Sequence, residues 1–207
     1  GDTEAAGMKA YLFLNGDPPA VMPDTSDGIV VCADGAYGYV AASVRPDAVV
    51  GDFDSLDPAV VPDGVELVRV SRFKDYTDGH IAMSYLARRG CTRAEIYGAF
   101  GGRPDHELCN YSLTAYAREL GYDAVIVGDR FDVRLIEGEF SANARRGAVV
   151  SLVPFSDKIH ILYTKGLKYE AVNLAVDKIH IVSVSNEALG GAFSVSVQGS
   201  ALLFVER

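Results

Sequence analysis

Positive charge is in short supply in this chain: 19 Lys and Arg stand against 28 Asp and Glu, for a net charge of -9. A broad electrostatic grip on nucleic acid or on an anionic membrane is therefore not expected, although a local cationic pocket is compatible with the total. Cysteine is scarce as well. Cys32, Cys91 and Cys109 are odd in number, show no CxxC spacing and lie in apolar or helix-like contexts. They read as buried thiols in a reducing compartment, and a cytoplasmic location is expected. No stretch approaches the roughly 18 uninterrupted apolar residues of a membrane span. The opening GDTEAAG is acidic and small rather than basic then apolar, so residues 1 to 7 are expected to be a lead outside the fold. What is present is ordinary globular material, 49% hydrophobic and 23% charged over 207 residues, enough for one large domain or two smaller ones.

From Lys9 onward the periodicity is that of alternating strands and helices. "KAYLFLNG", "GIVVCADG" and "DAVVGD" read as buried strands bounded by Gly, Asp or Pro, the signature of a parallel sheet. A short helix is predicted over 36–43. "VELVRV" is a further strand, and a helix over 78–89 carries Ile81, Met83, Leu86 and Ala87 on its apolar face, with Gly90 as its stop. "EIYGAF" is the next strand. A helix over 105–120 follows, with an acidic first turn and Gly121 as its stop, and then the strand "DAVIVGD". The class is α/β, with a mostly parallel sheet over residues 1–130.

Beyond about Asp129 the pattern changes. "VRLIEGEF", "GAVVSLVPF", "KIHILYT", "HIVSVSN", "AFSVSV" and "ALLFVER" are short, often alternating strands separated by Gly, Asn and Asp turns. A second domain over residues 131–207, an all-β sandwich, is the economical reading. Within it "DKIHIL" recurs as "DKIHIV", which two similar strands explain. His160 and His180 alternate with isoleucines and are expected to face away from the core, a surface pattern rather than a paired metal site.

The stretch "VVGDFDSLDP" sets an apolar strand directly against Asp52 and Asp54. In an extended backbone the two carboxylates project to one side, at the strand end where open α/β sheets bind ligands. Two convergent carboxylates repel, and a hard divalent cation relieves the repulsion; Mg²⁺ typically takes one or two carboxylates, waters and substrate phosphate oxygens. Alone, such a motif describes many solvated loops. Three other strand ends carry the same cargo. "CADGAYG" puts Asp34 and Gly35 after the second strand, where Gly permits close approach of a phosphate. "RFKDYTDGH" supplies Arg72, Lys74, Asp75, Thr77 and Asp78, and "GAFGGRPDHELCN" supplies Gly101, Gly102, Arg103, Asp105 and His106. Taken singly these are turn and capping residues, with Asp78 and Asp105 as candidate helix N-caps. Together they describe a phosphate and metal site.

"ADGAYG", "GDFDSL", "KDYTDGHIA" and "GAFGGRPDHELCN", in this order and at these spacings, resemble the signature segments of the thiamine pyrophosphokinase family. The trailing "KGLKY" and "VSVSNE" are similar to that family's thiamine-binding half, so the resemblance covers nearly the whole chain from Met8. It implies an α/β nucleotide domain, a β-sandwich, and a homodimer with active sites between subunits. It also implies transfer of a diphosphate from ATP to the thiamine hydroxyl, with release of AMP. Asp52, Asp54 and Asp78 would hold Mg²⁺ with Asp34 close by. Lys74, Arg103 and the Gly101 and Gly102 backbone would face the nucleotide phosphates, with Asp34, Gly35, Thr77 and Asn110 also among the cofactor-binding residues. Asp105, His106 and Asn110 match the third strong segment without individual roles. Tyr169 stands where some members have Trp, suited to stacking on a thiamine ring, and Ser185 and Asn186 fit its polar contacts. The chain departs from the family where many bacterial members read TDTE: Gly79 and His80 follow Asp78, so an acid is missing at position 80 and the helix start loses a good helix former.

The implied chemistry is mostly positioning and charge neutralisation, with a carboxylate of the acidic cluster or His106 as candidate general base. Other readings remain open. A related pyrophosphokinase acting on another heterocyclic alcohol, such as a hydroxymethylpterin, would keep the nucleotide side and change the β-domain pocket. A phosphatase of the haloacid dehalogenase class needs its nucleophilic Asp after the first strand, whereas Asp52 follows the third. A ligand sensor without turnover would gain little from holding acids together.

Overall fold

The computed structural model describes residues 7–71 and 76–207; Lys74, with Arg72 and Asp75, lies outside the described residues. The chain divides into two compact units, Gly1–Gly128 and Asp129–Arg207. It is a mixed α/β protein, richer in strands than in helices.

The first unit is built on β1 (Met8–Phe13), β2 (Gly28–Ala33), β3 (Ala48–Gly51), β4 (Glu66–Arg69), β5 (Cys91–Tyr97) and β6 (Asp123–Val127). Every pairing among them is parallel, in the order β6-β5-β1-β2-β3-β4. The chain thus winds outward from β1 in one direction and then returns to lay β5 against its other edge. That reversal sets the ends of β1 and β5 side by side, at the kind of position where open α/β sheets bind ligands. The strands are apolar on both faces because both are covered. Tyr11, Phe13, Cys32 and Val49 pack with Val40 on one face. On the other, Ala10, Leu12, Val31 and Ile96 are buried beneath the side that alternation assigns them.

Among the described residues three α-helices connect these strands: α1 (Tyr37–Ala41), α2 (Asp78–Arg88) and α3 (Pro104–Glu119). The N-cap of α2 is Thr77, whose hydroxyl accepts from His80 N, and Asp78 is the first helical residue rather than the cap. Arg103 occupies the N-cap of α3 with no side-chain cap, Pro104 follows, and Asp105 lies one step inside. Proline fits that first position because its missing N–H is one the helix would leave unpaired. The expected weakness of Gly79 has a packing counterpart: a Cβ there would stand 3.1 Å from Leu113 Cδ1, so α2 lies close against α3. Cys32 and Cys91 are buried as expected, but Cys109 is exposed on α3.

The second unit contains β7 (Phe131–Ala144), β8 (Val149–Pro154), β9 (Lys158–Lys165), β10 (Val172–Asp177), β11 (Asn186–Glu187) and β12 (Gly191–Glu206), paired antiparallel throughout. "AFSVSV" and "ALLFVER" are one strand. It is broken in register where Val197 faces Gly138 and Ala201 faces Ile136, so β12 carries two more residues than β7 across that step. Such a bulge redirects the strand. The first half of β12 pairs with β9 and the second half with β8, while β7 runs beside both. Val150, Leu152, Ile159, Ile161, Phe193 and Leu203 share one core.

One strand was expected in the wrong place. "HIVSVSN" is not a strand before Asn186, and β10 forms instead over Val172–Asp177. The two similar hexapeptides therefore differ in structure. Ile159 and Ile161 of the first are buried in β9. In the second, the Asp177 carboxylate accepts from Ile179 N at 2.8 Å and His180 N at 2.7 Å, closing a turn that leaves Ile179 exposed. Local side-chain to backbone bonds of this kind compete with ladder pairing.

Candidate functional site

The loop after β1 continues to track the segment after β5. Leu14 N donates to Tyr97 O at 2.8 Å, Gly16 N to Gly98 O at 2.7 Å and Asp17 N to Phe100 O at 2.7 Å. Beside it opens a cleft of about 360 Å³. Of the residues singled out from the sequence, Asp34, Thr77 and Asp78 line one part of it, and Gly101, Arg103, His106 and Asn110 another. Asn15 and Gly16 also line it. Sequence reasoning passes over these two, although "LNG" after the first strand carries the same turn signal as the segments that were chosen.

The segment between β5 and α3 is fixed from the helix side. Asn110 Nδ2 donates to Ala99 O at 2.9 Å, and Gly101 N donates to Glu107 Oε1 at 2.9 Å. Asn110 thus shapes the loop, and Glu107 is a second positioning side chain not marked from sequence. Gly101 has φ 74°, and a Cβ there would stand 2.0 Å from Asp17 Oδ2, so both conformation and space demand glycine. Arg103 is held by two parallel bonds to Asp105, Nε to Oδ1 at 3.1 Å and Nη2 to Oδ2 at 2.6 Å. The guanidinium pushes the Asp105 carboxyl down to about 2, so the pair stays ionised. Asp105 and Gly102 do not line the cleft.

The acidic loop is organised by Asp34. This buried carboxylate accepts from Gly35 N at 2.8 Å through Oδ1 and from Phe53 N at 3.0 Å through Oδ2. A Cβ on Gly51 would stand 2.3 Å from it, and one on Gly35 would stand 2.6 Å from the Asn15 side chain. Burial raises the Asp34 pKa most, the two amide bonds oppose the rise, and the charges of Asp78 and Asp52 add to it.

Asp52 and Asp54 are not joined by the extended backbone expected of them. Phe53 has φ 60°, so the backbone between the two acids is left-handed rather than extended. Its ring is buried with the Arg69 guanidinium 5.2 Å from its centroid. Asp54 N folds back to Asp52 Oδ1 at 3.1 Å. Neither acid lines the cleft. Among the described residues no three His, Cys, Asp or Glu side chains already converge as a metal-binding group. The charges of Asp78 and Asp52 act on Asp34, and carboxylate oxygens are of the kind that Mg²⁺ takes, which needs only one or two of them.

His80, in place of an acid, turns to the helices. Its Nδ1 is 2.8 Å from Thr77 Oγ1, its ring centroid is 5.3 Å from that of Tyr116, and burial lowers its pKa.

A second cavity, about 220 Å³, lies in the β unit. Val150, Leu152, Ile161 and Leu174 form apolar walls, with Tyr169 and Asn186 among its lining residues. Tyr169 is 61% exposed, with Lys168 Nζ 5.3 Å from its ring centroid. Ser185 does not line this cavity; it has φ 61° and donates its N–H to Ser151 Oγ at 2.9 Å.

Two family models match the chain. Thiamin pyrophosphokinase, catalytic domain, matches residues 25–126, and thiamin pyrophosphokinase, vitamin B1 binding domain, matches residues 138–202. A thiamine pyrophosphokinase of Bacillus subtilis (strain 168) is 23% identical over 210 residues, 96% of this chain and 98% of that protein. Thiamine pyrophosphokinase 1 of Oryza sativa subsp. japonica is 26% identical over 216 residues, 88% of this chain and 81% of that protein. Among solved structures, thiamine pyrophosphokinase from Bacillus subtilis superimposes with a TM-score of 0.82 at 21% identity, covering 95% of this chain and 98% of that one. Thiamin pyrophosphokinase from Candida albicans does so with a TM-score of 0.79 at 20% identity, covering 97% and 89%. At these identities the structural likeness is one of fold.

Proposed function

The chain belongs to the thiamine pyrophosphokinase family, and from that premise we propose that it transfers a diphosphate group from ATP to the hydroxyl of thiamine, giving thiamine diphosphate and AMP. The observation that carries the reading is the cleft at the strand-order reversal. A glycine-bearing loop and Arg103 meet Asp34 and Asp78 there, between segments that the catalytic family model spans.

The acceptor oxygen forms a bond to the β-phosphorus while the bridging bond to the α-phosphate breaks and AMP departs. Most of the work is orientation and neutralisation of oxygens. Arg103, preset by Asp105, offers its remaining N–H groups to phosphate oxygens, and the Gly101 and Gly102 backbone permits close approach. Lys74 is assigned the same duty on the family resemblance. Asp52, Asp54 and Asp78 would hold Mg²⁺, with Asp34 shaping the loop that carries the first two. The ion would supply positive charge to the phosphate oxygens. His106 or an acid of the cluster is the group to take the hydroxyl proton. In the residues 138–202 matched by the vitamin B1 binding model, the 220 Å³ cavity beside Tyr169 is the proposed acceptor pocket. Its apolar walls and aromatic rim suit two flat rings and a thiazolium charge.

The same proposal includes a cytoplasmic homodimer with active sites at the subunit interface. Exposed Val172, Ile179 and Val182 support an interface in the β unit, and sedimentation equilibrium tests it. The deciding experiment is incubation of the protein with ATP, Mg²⁺ and thiamine, with identification of the nucleotide product. AMP formed only when thiamine is present is expected; ADP, or no turnover, overturns the assignment.

A further inference from the structure

We propose that Asn186 is a positioning residue for the acceptor pocket, acting through Tyr169 rather than by touching the acceptor; the inference rests on the reading of that pocket given above. Segment 167–168 runs antiparallel to 187–188: Leu167 bridges Ala188, and Lys168 N donates to Glu187 O at 2.8 Å. The ladder would end there, one residue short of Tyr169. Asn186 extends it with its side chain. Its Oδ1 accepts from Tyr169 N at 3.0 Å and its Nδ2 donates to Tyr169 O at 2.7 Å. The amide thereby does for Tyr169 what a neighbouring peptide unit would do.

Three hydrogen bonds of the amide are already made within the protein, leaving one Nδ2–H. A carboxamide oxygen has two lone pairs, and Oδ1 also accepts from Glu187 N at 2.9 Å, so its accepting capacity is spent. One of the two Nδ2–H groups is committed to Tyr169 O. What the clamp holds is an exposed tyrosine at a cavity, in a bend between β9 and β10 that is pinned separately two residues on by Ala171 N donating to Thr164 Oγ1 at 2.8 Å. An exposed ring loses conformational freedom on meeting a ligand, and fixing its backbone beforehand lowers that cost.

The test is a double-mutant cycle read in steady-state kinetics, with Asn186→Ala, Tyr169→Ala and the double variant. Asn186→Ala is expected to raise the thiamine KM about tenfold with kcat and the ATP KM nearly unchanged. In the Tyr169→Ala background the same substitution should change the thiamine KM by less than about twofold. Multiplication of the two single effects would overturn the proposal, since Asn186 would then act independently of Tyr169. So would a fall in melting temperature with an unchanged thiamine KM, the mark of a purely structural amide. If the Ala variant does not fold, Asn186→Asp serves. It keeps the acceptor, turns the donor into an oxygen facing the Tyr169 carbonyl, and should raise the thiamine KM only when Tyr169 is present. A neutral Tyr169→Ala variant removes the pocket reading and this inference together, whereas additive effects remove this inference alone.

Discussion

The Asp34 carboxylate accepts a hydrogen bond from Phe53 N at 3.0 Å, tying the end of β2 to the residue that separates Asp52 from Asp54, and Phe53 takes φ 60° to make it. A bulky residue in that region costs on the order of 1–3 kcal/mol and persists only where its surroundings dictate it. Asp34→Asn leaves one amide oxygen for two N–H donors and sets an NH₂ against one of them. Orphaning a buried donor costs about 1–3 kcal/mol. Turnover should fall about tenfold or more, with a lowered melting temperature and intact far-ultraviolet circular dichroism. Full activity at unchanged stability would show that the Asp34 bond does not hold the acidic loop.

Asp52, Asp54 and Asp78 are each expected to be required for turnover. Replacement of any one by Asn removes a carboxylate and a unit of charge from the proposed cation region while leaving the core untouched. Each variant should remain folded, lose activity by about a hundredfold or more, and need a higher Mg²⁺ concentration for what remains. A folded variant with normal activity and normal Mg²⁺ dependence excludes that residue.

Gly101→Ala puts a Cβ 2.0 Å from Asp17 Oδ2 at a backbone φ of 74°. Either Asp17 moves or the loop leaves Glu107 and the cleft. The ATP KM should rise about tenfold with the thiamine KM little changed, as initial-rate measurements at varied ATP will test. Equal effects on both substrates contradict the assignment of this loop to phosphate.

The Arg103 and Asp105 pair predicts a pH window. Arg103 holds the Asp105 carboxyl down at about 2, below its range in the unfolded chain. The stabilisation from this pair is therefore complete above the ordinary aspartate range and is lost only as pH falls toward 2. The pair is exposed, so the loss is small and screened by salt. A carboxyl-carbon NMR titration should give Asp105 a midpoint near 2. Asp105→Asn should raise the ATP KM by freeing the Arg103 fork. A midpoint in the usual aspartate range means the pair does not persist in solution.

Tyr169→Ala should raise the thiamine KM about tenfold and leave the ATP KM and the melting temperature nearly unchanged, because the ring is mostly exposed and contributes stacking and cation-π attraction of about 0.5–2 kcal/mol. Tyr169→Phe and Tyr169→Trp should stay near the parent. Loss of stability without a change in thiamine KM identifies a packing tyrosine instead.

Periodicity and turn chemistry suffice to read the parallel strands of the first unit, both long helices and the change to antiparallel strands near Asp129. Apolar runs between Gly and Asp signals depend on neighbours a few residues away. Three of the four acid-, glycine- and cation-bearing segments reach the cleft, and their turn and capping signals are legible for the same reason, each being local. What the tertiary structure alone decided is where pairing and loop geometry compete over distance. Asp177 bonds two amides of its own turn and takes the second hexapeptide out of the sheet, and β10 forms at Val172–Asp177 because β9 is there to pair with it. Asp34 reaches across 19 residues to Phe53, so the two acids that alternation sets on one side are presented by a left-handed bend. Asn15 and Gly16 line the same cleft as Gly101, whose loop Glu107 holds, because the strand order brings β1 beside β5. Spacing along a chain cannot specify which strand ends become neighbours; that follows from burying both faces of one sheet.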